Sequence, residues 1–141
     1  MTNSDLLRHK QIKLHMAQQP KEVADVSIRL WESMANELIS IIGTGGFISL
    51  YARSLFLVHP SFPWLAAEKP PSDKSSRFVQ LKTSLAGQKP EQASAANTML
   101  LITFTDILAA LIGDPLTTSI LRTAWGNIAS DTAHKESKNE Q

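Results

Sequence analysis

The chain has no cysteine in its 141 residues. That excludes a disulfide framework, a thiol nucleophile and any cysteine-ligated zinc or iron–sulfur site. Charge of one sign is also lacking. Fourteen Lys and Arg stand against 13 Asp and Glu, a net charge of +1. No strong field is available to draw in nucleic acid or an acidic membrane surface. Charged residues make up only 19% of the chain and hydrophobic ones 43%. This composition fits one globular domain with some apolar surface to spare.

Long hydrophobic runs are missing too. The most apolar stretch, residues 99–112, is interrupted by Asp106. It falls short of the roughly 20 apolar residues that span a bilayer, and it reads as a core helix. The first 20 residues carry Asp5, Arg8, His9, Lys10, Lys13 and His15, which leaves no signal-peptide apolar core. A soluble cytoplasmic protein is expected. No segment shows the strict alternation of a half-buried strand.

What is present is an echo. The run Glu37-Leu-Ile-Ser-Ile-Ile-Gly43 returns 70 positions later as Ile107-Leu-Ala-Ala-Leu-Ile-Gly113. In each, an apolar helical segment stops at Ile-Gly and another begins within a few residues. With a one-residue gap, Ser49, Arg53 and Ser54 fall opposite Thr118, Arg122 and Thr123. This predicts an all-α compact bundle of five or six helices built around two helix-turn-helix units.

Residues 1–20 form a polar leader, read as a short docking helix or a partly mobile arm. Residues 21–129 form a single helical domain, and 130–141 a disordered tail with little to bury. Over residues 22–42, Val23, Val26, Leu30, Met34, Leu38 and Ile41 recur at steps of three and four, a helical period. Gly43 is expected to end that helix in the αL conformation. The next helix is placed at 46–58, closed by His59-Pro60 and Phe62-Pro63. Residues 60–73 read as the longest loop, with Ser72 or Asp73 capping a short helix whose inner face is Phe78, Leu81 and Leu85. Pro90 suits a first turn, and the helix after it carries Ala95, Ala96, Met99, Leu100 and Phe104 to Ile112. Asp114-Pro115 reads as cap and first turn of the last helix.

Several groups invite chemistry. Thr44-Gly45-Gly46 resembles part of a phosphate loop, but no strand precedes it and no lysine follows; a tight interhelical turn is the favoured reading. Gly45, Gly46, Arg53 and Arg122 are the anion-binding candidates. Glu37 and Asp106 lie in the helices before the two glycines. A crossed arrangement, Asp106 with Arg53 and Glu37 with Arg122, would satisfy all four, although the helical wheel turns both arginines toward polar flanks.

His9, His15, His59 and His134 show no ligand spacing and read as surface or loop residues, so metal binding is not expected. There is no GxSxG elbow and no basic recognition helix. No catalytic residue, cofactor or metal is assigned, and the chain is not read as an enzyme.

The proline-bounded aromatic group Phe62, Trp64 and Leu65 is the best sequence-level candidate for binding a protein partner, against the commoner outcome of a loop folded onto the core. Trp31 and Trp125 could extend it. The reading is a non-catalytic interaction or regulatory module that binds a protein partner or itself. The alternative is a ligand-sensing helical domain with an apolar pocket and an arginine for an anionic group.

Overall fold

The computed structural model describes residues 3–17, 22–65 and 78–126. Among these are five helices and no strand: α1 (Asn3–Ala17), α2 (Val23–Val58), α3 (Val79–Ala86), α4 (Pro90–Ile112) and α5 (Asp114–Trp125). The all-α bundle follows the helical period of the sequence. The tail, the 66–77 part of the long loop and the caps at Ser72 or Asp73 lie outside the described residues, as does His134.

The echo has a structural counterpart. Gly43 adopts φ 82°, ψ 164°, and Gly113 adopts φ 94°, ψ 154°. Both glycines therefore turn the chain through nearly the same backbone conformation. It is not the αL cap expected at Gly43, because ψ is extended. This region is open essentially to glycine alone, since a Cβ would be strained there. Helix resumes at once after each, at Thr44 rather than Gly46, and at Asp114. At the second corner Gly113, not Asp114, is the residue before the helix, which leaves the Asp114 side chain for other work.

The two corners lie at the same end of the bundle. Trp31 of α2 contacts Asn97 and Phe104 of α4, and Phe47, just past Gly43, comes back to Phe104. Ser27 and Asn97 both reach Met16 Sδ, and Trp31, one turn after Ser27, reaches Phe104, so residues 23–42 run in the same direction as α4, and Gly43 and Gly113 follow at one end. Residues 23–42 run alongside α4, and each helix then folds back into its own hairpin.

The centre of the core is aromatic. Trp31 is fully buried, with Tyr51 at 5.1 Å, Phe104 at 5.1 Å and Phe78 at 5.9 Å between ring centroids. The pairs with Tyr51 and Phe104 are edge-to-face, and each such pair adds about 0.5–1.5 kcal/mol beyond area burial. Trp31 is thus not at the edge of a recognition surface. The α2 stripe of Val23, Val26, Leu30, Met34 and Leu38 is buried, but Ile41 is exposed as the helix nears its corner. On α4 the inward face is Ala93, Ala96, Asn97, Leu100, Leu101, Phe104, Thr105 and Leu108, while Ala95 and Met99 face outward.

Two helices, α2 and α4, are long and apolar enough to cross a membrane by length and composition, with window hydropathies of 1.5 and 1.8. The helix around residues 99–112 is thus longer than the apolar run predicted. In α2, however, the chain turns at Gly43, and the outward stripe before it is Asp25, Arg29, Glu32, Asn36 and Ser40.

Candidate functional site

The leader is a helix, and it is partly inside out. Along α1 the inward positions are Arg8, Ile12, His15 and Met16, with Asp5, His9 and Gln11 half-buried; Leu6, Leu7 and Leu14 point outward. Steps of three and four put Asp5, Arg8, His9, Ile12 and Met16 on one side of the helix, so the polar group travels together. Leu7 is 68% exposed while the Arg8 side chain is 3% exposed. That ordering reverses the usual one, in which leucine is buried and arginine is not.

Arg8 is held by carboxylates from three helices. Its Nη2 donates to Asp5 Oδ1 at 2.5 Å, one turn back on α1, and to Asp106 Oδ1 of α4 at 2.8 Å. Its Nη1 donates to Asp114 Oδ1 of α5 at 3.3 Å. The planar fork of arginine is suited to bridging separated carboxylates in this way. Asp114 sits in the first turn of α5, where a negative charge is also favoured by the helix dipole. Burial works against the charge on Arg8, but Asp106 and Asp5 more than offset it and raise the guanidinium above its ordinary range. Its Nε is buried with no partner. His9 Nε2 lies 2.7 Å from the same Asp106 oxygen, the geometry of an Nε2–H donor.

The rest of α1 is tied down by mixed contacts. Gln11 Nε2 donates to the Gly126 carbonyl at 3.0 Å, and the His15 ring meets Trp125 edge-on at 5.4 Å. Trp125 in turn donates its Nε1–H to the Leu30 carbonyl at 2.8 Å. Beneath Met16 a buried polar chain runs from Trp31 Nε1–H to Asn97 Oδ1 at 2.7 Å, and from Asn97 Nδ2 to Met16 Sδ at 3.2 Å. A buried indole N–H and a buried amide are thereby partnered, as burial requires. Chemically this seam is a clasp that bolts α1 onto α4 and α5.

The sites expected from the sequence are distributed differently. Asp106 is engaged by Arg8 and His9, so the crossed pairing with Arg53 does not form. Arg53 and Arg122 are both exposed, and Arg53 sits over the Phe56 ring at 5.8 Å. Gly45 and Gly46 lie within α2, about 10–12 Å along the helix axis from Arg53, whose guanidinium is turned the other way, over Phe56. His9 and His15 are not surface residues: one is half-buried and the other buried. His59 ends α2 in an exposed position.

The aromatic loop folds onto the core. Leu65 is buried at 1% exposure, while Phe62 and Trp64 are half-buried and form an edge-on pair at 5.9 Å. Among the described residues the exposed large apolar side chains are instead Leu6, Leu7 and Leu14 on α1, Phe56 and Leu57 on α2, Val79 on α3, Met99 on α4, and Ile41, Leu111 and Leu116 near the corners. Among the described residues no group of three or more His, Asp or Glu side chains is placed to hold a metal ion. The one local signal is that Asp5, Arg8 and His9 share the stripe of Ile12 and Met16, which marks a polar seam on α1 without naming Asp106 or Asp114 as its partners. No family model, curated protein or solved structure matches the chain.

Proposed function

We propose that this protein is a non-catalytic interaction module of the cytoplasm, and that the outward face of α1 is its contact surface. The observation that carries the reading is the inversion of α1: leucines are presented outward while Arg8 is buried beneath them. Exposed leucines clustered on one helix face are the kind of apolar surface that partners cover. The clasp of Asp5, Asp106 and Asp114 around Arg8 fixes which face that is. The polar stripe of Asp25, Arg29, Glu32, Asn36 and Ser40 on α2 supports a soluble setting.

The test is a double variant, Leu7→Glu with Leu14→Glu. It leaves the buried seam intact, so the thermal melt should stay within a few degrees of the parent. Self-association in sedimentation velocity, or the set of proteins crosslinked through α1, should be lost. An unchanged set of associations with an unchanged melt would sink the reading.

A further inference from the structure

We propose that the outward face of α1 docks an acidic amphipathic helix from a partner protein. This rests on the interaction-module reading and names the chemistry of its partner. Lys10 and Lys13 are exposed between Leu6, Leu7 and Leu14. Leu7, Lys10 and Leu14 share one stripe, while Leu6, Lys10 and Lys13 share the adjoining one. Asp5, the sole acid of α1, is drawn inward onto Arg8, so the charges left on the outward face are basic. The clasp thus sets the sign of the surface as well as its hydrophobicity.

A helix laid along α1 meets a strip of 15 residues, about 22 Å long, or four turns. Leucines on that helix can seat between Leu7 and Leu14, and flanking glutamates can pair with Lys10 and Lys13. Other occupants fit less well. A second copy laid α1 against α1 brings the lysines of one chain toward those of the other. An anionic bilayer gains only about 1 kcal/mol per lysine, and α1 has no aromatic residue to seat at the interface. Residues 127–141 hold one large apolar residue, Ile128, and alternate acids with lysines, so they supply no leucine stripe.

The probes are two synthetic helical peptides with identical leucine stripes, one with glutamate at its polar positions and one with lysine. Vesicles of phosphatidylserine with phosphatidylcholine form a third arm, and sedimentation velocity of the full chain alone a fourth. The glutamate peptide should bind about 10-fold or more tightly than the lysine peptide, with the gap closing as salt rises. Lys10→Glu with Lys13→Glu should reverse the preference, and Leu7→Ser should weaken binding without moving the melt. Equal affinity for both peptides overturns the proposal, as does no binding of the glutamate peptide at millimolar concentration. Self-association or vesicle binding without capture of the glutamate peptide also overturns it, while leaving the interaction-module reading in place. Failure of all four arms, with Leu7→Glu and Leu14→Glu changing no association, removes both.

Discussion

Arg8 of α1 and Asp106 of α4 meet at 2.8 Å although 98 positions separate them in the chain. The contact orients α1 about its own axis, because Arg8 reaches Asp114 of α5 from the same guanidinium. Once that orientation is fixed, Leu6, Leu7 and Leu14 have nowhere to go but outward. A helix bolted by charge, rather than by leucine, keeps its apolar residues free for another protein.

Replacing Arg8 with Met should loosen α1 selectively. It takes the shared guanidinium from Asp106 and Asp114 and leaves Asp106 with His9 alone, and these two carboxylate side chains are 41% and 37% exposed. Solvent screening then holds the loss to about 1–2 kcal/mol, below the 3–5 kcal/mol of a fully buried pair broken on one side. Arg8→Lys should recover only part of it, since an ammonium cannot fork to both aspartates. Amide hydrogen exchange reads the result: α1 should lose protection while α2 and α4 keep theirs.

Gly43→Ala and Gly45→Ala should change stability in opposite directions. At Gly43 a Cβ meets nothing within 4 Å, so the cost is the backbone conformation itself, about 1–3 kcal/mol. At Gly45 the position is helical and equally open, and alanine should add up to about 1 kcal/mol. Urea melts of the two variants decide this. A stabilised Gly43→Ala would contradict the corner geometry.

Asn97→Leu should cost about 1–3 kcal/mol by stranding the Trp31 indole N–H in the core. Trp31 fluorescence should report the altered surroundings. Pairing the change with Trp31→Phe should reduce the added penalty, because the orphaned donor is then gone.

Leu65→Ala should destabilise by about 2–5 kcal/mol, as for a buried leucine. Trp64→Ala should lower the melting temperature without altering the proteins crosslinked through α1. Loss of those partners with an unchanged melt would return the aromatic loop to the role of an anchor.

Much of the fold was legible because helix period and glycine stops are local signals. Val23 through Leu38 and the pair Gly43 and Gly113 declare themselves within a few turns of chain. Even so, the backbone region those glycines occupy was not readable, since αL and extended conformations with positive φ both select glycine. The clasp was hidden for a different reason. Burying Arg8 is favourable only when Asp106 and Asp114 arrive from 98 and 106 positions away, and no local window contains them. Leucine-in, charge-out patterning therefore misreads α1. The same rule holds at Leu65, a partner-binding candidate by sequence that the core buries.

The absence of cysteine makes the central claim, that α1 presents its leucines and buries its polar seam, directly measurable. Single cysteines can be placed at Leu7 and at Ile12 on an otherwise unreactive chain, and labelling by a maleimide followed in native buffer. Leu7→Cys should react at the rate of a free peptide, and Ile12→Cys about 100-fold or more slowly until denaturant is added. Protection of Leu7→Cys with rapid labelling of Ile12→Cys would show the helix turned the other way and contradict the account.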